Sequence, residues 1–353
     1  MVRMLLLVVV CIGLLPIQMR AQKNSYIIPG EVWKDTDGNP INAQGGGLLY
    51  HDGTYYWYGE YKKGKTILPD WATWECYRTD VTGVGCYSSK DLLNWKFEGI
   101  VLPAVKEDPN HDLHPSKVLE RPKVIYNKKT GKFVMWAHVE SADYSKACAG
   151  VAVSDFPNGP FTYLGSFRPN NAMSRDQTVF VDDDGRAYQF YSSENNETMY
   201  ISLLTDDYLK PSGRFTRNFI KESREAPAVF KHKGKYYMLS SGCTGWDPNV
   251  AAVADSIMRT WKTIGNPCTG PDADKTFYAQ STYVQPVIGK KNAYIAMFDR
   301  WKKKDLEDSR YVWLPVLIKD GAITIPWHEK WDLTVFDKQK KSDKYKKSDK
   351  QKK

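Results

Sequence analysis

Five polar residues, Gln44, Glu120, Asp176, Glu225 and Gln280, stand at equivalent positions of a recurring sequence frame, each beside a run of strand-forming apolar residues. Three of them are carboxylates. Buried carboxylates are costly unless they are paired or used, so core packing alone does not select them. Carboxylates held close together push one another's protonation apart and leave one neutral as a proton donor. Acid catalysis is the chemistry expected of them, and the alternative is a hydrated polar channel that does none. Gln44 and Gln280 carry amides, which do not replace a carboxylate base in the ordinary way.

The frame that positions these residues is strand, turn, strand. Gln44 to Trp57 aligns without gaps on Glu225 to Met238, with a Gly turn in both; Asp176 to Tyr188 fits it too. Glu120 to Trp136 fits if its turn is two residues longer, and a weaker copy runs from Gln280 to Met297. The starting positions are 76, 56, 49 and 55 residues apart. Apolar runs ending at Asp91, Asp155, Asp206 and Asp255 supply third strands. The segments opening at Trp95, Phe161, Phe215 and Trp261 supply fourth strands; Tyr311 to Ile318 and Ala322 to Trp327 complete the last unit. Four short strands repeated five times, with little helical periodicity, predict an all-β chain folded as a five-bladed β-propeller, with a double β-sandwich as the alternative. The propeller occupies residues 25–336, with insertions at 62–83 and 106–116. Its innermost strands line the central channel, so the five starting positions converge at one mouth.

Composition narrows the partners. A chain of 353 residues, 42% hydrophobic and 26% charged, is neither collagen-like nor mainly disordered. Its 22 Tyr and 12 Trp favour partly wet, sugar-stacking surfaces. The formal charge of +9 is concentrated at the ends: residues 337–353 hold nine Lys against three Asp, and Arg3 and Arg20 add to it. The body is nearly neutral, which excludes nucleic acid as the expected partner, and the Lys-rich end reads as a solvated, disordered tail. Residues 1–21 read as a secretory signal, with Arg3, an apolar run of about eleven residues and Ala21. That run is too short to span a bilayer, so an exported protein without a transmembrane segment is expected. Beyond it lie Cys76, Cys86, Cys148, Cys243 and Cys268, an odd number that leaves at least one thiol unpaired. No His or Cys spacing marks a metal site and no cofactor is expected; a structural Ca²⁺ in the channel has no ligand set specified by the sequence.

Three motifs carry a family resemblance across about residues 25–336: Ser174 to Tyr188, with Arg-Asp-Gln at 175–177; Arg224 to Phe230, with Glu-Ala-Pro at 225–227; and Ser88 to Trp95. Together they resemble glycoside hydrolase family 43. The resemblance implies an inverting glycosidase in which Glu225 is the general acid and Asp176 orients it and raises its pKa. It also implies a catalytic-base Asp where this chain has Gln44. Asn42 to Gly47, Trp57 to Glu60 and Tyr278 to Thr282 resemble the exo-β-1,3-galactanase branch, in which a glutamine of the last blade takes the place of that base. Gln280 matches it and is expected opposite Glu225 across the scissile bond, while Gln44 binds sugar or orients water. The same resemblance implies Glu60, Glu120, Asn195 and Thr244 as sugar contacts, Glu60 and Thr244 reading equally well as strand-end residues that satisfy backbone groups. The expected activity is exo-hydrolysis of a galactan or arabinogalactan-type polysaccharide. An arabinofuranosidase or galactofuranosidase, or a non-catalytic carbohydrate-binding propeller, is the alternative.

Overall fold

The computed structural model describes residues 23–67, 79, 81–243 and 248–337. The first blade comprises β1 (Gln44–His51), β2 (Thr54–Lys62), β3 (Val81–Ser89) and β4 (Lys96–Pro103), and the second β5 (Val118–Asn127), β6 (Lys132–Glu140), β7 (Cys148–Ser154) and β8 (Thr162–Phe167). The third holds β9 (Gln177–Val181), β10 (Ala187–Ser193), β11 (Thr198–Leu204) and β12 (Pro211–Asn218), and the fourth β13 (Arg224–His232), β14 (Lys235–Gly242), β15 (Val250–Ala254) and β16 (Lys262–Gly265). The fifth is built from β17 (Cys268–Thr269), β18 (Gln280–Pro286), β19 (Tyr294–Lys302), β20 (Asp305–Lys319) and β21 (Ala322–Pro326).

Each of the first four sheets is an antiparallel meander. The inner strands β1, β5, β9, β13 and β18 neighbour one another in a closed cycle, the defining arrangement of a five-bladed propeller. Closure also explains the hydrophobic pattern. Inner and second strands lie between two blades and are buried on both faces, so β6 and β14 read as near-continuous buried runs. The outermost β16 is exposed along its whole length. The fifth blade differs from the expected four-stranded unit, because β17 pairs in parallel with β21 at Cys268 and Ile325. A two-residue strand is too short to leave a periodic signal.

The core is divided among the five gaps between blades, each with its own buried cluster. The gap between the last and first blades must hold the two ends of the chain together. Ile27 and Trp331 exchange backbone hydrogen bonds of 2.7 and 3.0 Å. Beneath them Trp57 lies edge-on to Tyr311 at 4.6 Å and to Trp95 at 5.3 Å, with Trp313 tilted against it at 4.8 Å. Cys86, Cys148 and Cys268 are buried free thiols, so no disulfide links these three. Among the described residues no helix is long and apolar enough to cross a membrane.

Trp57 is 1% exposed at the centre of this seam. Trp57→Ala is expected to destabilise the domain by about 3–5 kcal/mol, read as a lower urea midpoint. A change of the size usual for surface substitutions would show that the seam does not hold the ring closed.

Candidate active site

The inner strands aim their first residues at the axis by a repeated irregularity. Register shifts occur between Gln44 and Gly47, between Glu120 and Lys123, and between Glu225 and Ala228. The residue after each site side chain has positive φ: Gly45 at 60°, Arg121 at 56° and Ala226 at 56°. A bulge inserts one unpaired residue and turns the side chain beside it, and bulges of this kind concentrate next to active sites. At Gly45 glycine is favoured by space, since a Cβ there would strike Glu60 Oε1, whereas Arg121 and Ala226 carry side chains at nearly the same φ. In the third blade Asp176 lies just outside β9, and its carbonyl accepts the Ser192 N–H at 3.0 Å.

The resulting cavity, about 940 Å³, is lined by all of the sequence-predicted residues that the structure describes: Gln44, Glu60, Glu120, Asp176, Asn195, Glu225 and Gln280. Thr244 lies outside the described residues. At its floor is Arg121, 8% exposed, which no motif singled out. Its guanidinium pairs with Asp176 Oδ2 at 2.9 Å and donates to Gln280 Oε1 at 2.5 Å and to the Ser281 carbonyl at 2.7 Å. Gln280 passes the polarity on, donating through Nε2 to Glu225 Oε1 at 2.7 Å. Asn196, next to the expected Asn195, donates to Glu225 Oε2 at 3.2 Å. Burial and the charge of Asp176 raise the Glu225 carboxyl to about 8, against the pull of Arg121 and the Gln280 amide. Glu225 therefore keeps its proton at neutral pH.

Glu120 has the opposite environment. Burial works against its charge, but His138 Nδ1 at 3.2 Å and the Tyr144 hydroxyl at 2.7 Å outweigh it and hold the carboxyl well below its ordinary value. His138 stands between Glu120 and the fully buried Glu140, 3.2 Å from each; despite burial, the two carboxylates raise it to about 9, so it is a cation at neutral pH. Glu60 satisfies backbone, as one of its two expected roles: Oε1 accepts the Arg121 N–H at 2.9 Å, and Oε2 pairs with Lys62 at 2.6 Å. Glu120, His138 and Asp176 offer donor atoms within 4.8 Å of one another. Arg121, paired with Asp176, supplies positive charge beside them.

Gln44 is 4% exposed and donates its amide to the Leu306 carbonyl. Gln280, expected across the scissile bond from Glu225, is in hydrogen-bond contact with it, because β13 and β18 belong to adjacent blades. A further carboxylate, Asp299 of β19, pairs with Gln280 in register, lines the cavity and accepts the Gly45 N–H. Sequence reasoning missed it because the frame marked only first strands. Arg121 was within reach, since it occupies in Glu-Arg-Pro the place of Ala226 in Glu-Ala-Pro.

The chain is similar to known glycoside hydrolases. The model of the glycosyl hydrolases family 43 matches residues 47–267. A family-43 β-1,3-galactosidase solved with galactodeoxynojirimycin is 44% identical, with a TM-score of 0.81 over 87% of this chain and 100% of that one. An exo-β-1,3-galactanase from Phanerochaete chrysosporium, solved with β-1,3-galactotriose, is 34% identical, with a TM-score of 0.77 over 88% of this chain and 68% of that one. The exo-β-1,3-galactanase from Clostridium thermocellum is 37% identical, with a TM-score of 0.75 over 86% of this chain and 66% of that one. No curated protein sequence matches the chain. A five-bladed propeller with a proton-bearing glutamate beside an arginine-paired aspartate, matched by the family model over most of its blades, is a glycoside hydrolase, and the chain belongs to family 43.

Proposed function

We propose that this protein is an exported, inverting exo-β-1,3-galactosidase that removes terminal galactose from galactan or arabinogalactan-type chains. The observation that carries the reading is the opposed protonation of Glu225 and its neighbours. A neutral Glu225 is the group able to protonate a departing glycosidic oxygen at neutral pH, and Asp176, fixed by Arg121, keeps it neutral. The ionised Glu120, with Glu60 and Asn195 around the same cavity, offers convergent acceptors and donors for vicinal sugar hydroxyls. The galactose-type ligands of the similar structures support galactose as the terminal sugar. Export follows from residues 1–21 and suits a polymeric substrate. In the inverting reading Gln280 orients the attacking water once a bound sugar separates it from Glu225.

The substrate reading is tested by chromatography of digests of β-1,3-galactan, arabinan and aryl galactofuranoside. Galactose alone, released from galactan without larger products, is expected; arabinose, galactofuranose or no product would overturn it.

Glu225→Gln keeps the shape and removes the proton. It is expected to lower hydrolysis of β-1,3-galactobiose by about 10²–10⁴-fold and that of an aryl galactoside with a good leaving group much less. Equal losses on both substrates would contradict the acid role.

Asp176→Asn removes the charge that favours protonated Glu225 and frees Arg121 to favour the ionised form. Since kcat/KM falls as pH rises through the Glu225 pKa of about 8, this alkaline limb is expected to move to lower pH in the variant. A limb left in place, with only KM changed, would make Asp176 a sugar contact.

A further inference from the structure

One carboxylate of the second blade is buried where it reaches neither the cavity nor solvent. Glu140, the last residue of β6, is fully buried and lies behind the cavity wall. Burying a charge is costly unless it is paired and hydrogen-bonded, so its role is to be sought in its partners. Oε1 lies 3.2 Å from His138 Nε2 and 3.7 Å from Arg175 Nε, and Oε2 accepts the Ala147 N–H at 2.7 Å. Two of these contacts lead to Glu120. The second nitrogen of the His138 ring, Nδ1, lies 3.2 Å from Glu120 Oε2. Ala147 closes the loop that joins β6 to β7, and Tyr144 of that loop donates its hydroxyl to Glu120 Oε1 at 2.7 Å. Arg175 holds the same loop, donating to the Tyr144 carbonyl at 3.2 Å.

We propose that Glu140 and His138 are positioning residues for sugar binding: Glu140 organises both donors that grip Glu120 and keeps both ring nitrogens of His138 donating, so that Glu120 meets the terminal sugar as an aimed acceptor. The inference deepens the glycosidase reading above and rests on it. An ionised carboxylate accepts at about four sites, so with one taken on each oxygen by His138 and Tyr144 about two remain for sugar hydroxyls. Glu140 acts at a distance, through His138 and Tyr144, which line the cavity with Glu120. A neutral imidazole donates from one nitrogen only. Its bare nitrogen would face a carboxylate oxygen and repel it, so loss of the ring proton breaks the grip on Glu120.

The charges around the ring set where that happens. Glu120 of β5 and Glu140 of β6 face its two nitrogens. Asp176, just before β9, brings a carboxylate oxygen within 4.8 Å of the Glu120 and His138 donor atoms and is itself paired with Arg121 of β5. Arg175 stands beside Glu140, and Lys62 of β2 acts on Glu120 from the first blade. Burial opposes the charge of His138, but Glu120 and Glu140 outweigh it and raise the ring to about 9. The ring is therefore a double donor below about pH 9 and a single donor above it. A Glu140 and His138 that served the fold alone would change stability and leave sugar affinity, and its dependence on pH, as they are.

The test measures galactose affinity by isothermal titration calorimetry between about pH 5 and pH 10 in Glu225→Gln protein, where the acid no longer titrates, and in the same protein carrying Glu140→Gln or His138→Gln as well. With Glu140 and His138 intact, affinity is expected to fall at least about tenfold as the ring loses its proton near pH 9. Glu140→Gln keeps the shape and removes one of the two charges that hold this proton, so the fall is expected about 1–3 pH units lower. His138→Gln has no ring proton to lose. It is expected to bind at least about tenfold more weakly at pH 7 and to show no fall near pH 9. A fall that stays at the same pH in either variant, or an affinity that neither variant changes, would overturn the proposal. If neither variant folds, the Glu225→Gln protein decides alone, and a constant affinity up to pH 10 overturns the proposal. Should that protein bind arabinose and not galactose, the substrate reading fails alone, and the same comparison is made with arabinose.

Discussion

The site depends on one buried cation. Arg121 holds Asp176 by an ion pair, fixes Gln280 by its carbonyl, and through its own N–H engages Glu60. Burial disfavours its charge, but Asp176, Glu225, Glu60 and Asp299 more than compensate and raise its pKa. Taking one member from such a network leaves the others buried and uncompensated, at a cost of about 3–5 kcal/mol. The arrangement therefore holds several carboxylates at one mouth of the channel and still lets their protonation differ. Glu225 keeps its proton because it is buried beside the Asp176 carboxylate, and Glu120 loses its proton, despite burial, because His138 is close and charged.

That cation sits where it does because of the backbone. Arg121 is the positive-φ residue of a bulge, and the same bulge falls after Gln44 and after Glu225. Strain of about 1–3 kcal/mol at each non-glycine position is tolerated because the surrounding blades over-determine it. The stiffness comes from five separate apolar seams rather than one central core, which leaves the axis free for polar groups. Dry seams and a wet axis are two consequences of the same closed ring.

Much of this was legible in the sequence, and the limits have physical reasons. The blades were readable because an inner strand, its turn and its return strand are local, with Gly, Asp and Asn marking the turns. Convergence of Gln44, Glu120, Asp176, Glu225 and Gln280 on one cavity followed from their equivalent positions. β17 was not legible, having two residues. Asp299 was not, because its carboxylate matters through a contact with another blade, 254 residues away along the chain. The contact of Gln280 with Glu225 was open to inference from ring order, since β13 and β18 are neighbours.

The account turns on Glu225 carrying a proton at neutral pH because it is buried beside Asp176, against the pull of Arg121. A carbon-13 NMR titration of the glutamate carboxyls in the substrate-free protein, with Glu225 assigned by its loss in Glu225→Gln, measures this directly. The account predicts a midpoint for Glu225 near 8. A midpoint in the ordinary glutamate range, about 4, would contradict it, because the proposed donor would then be ionised throughout the working pH range.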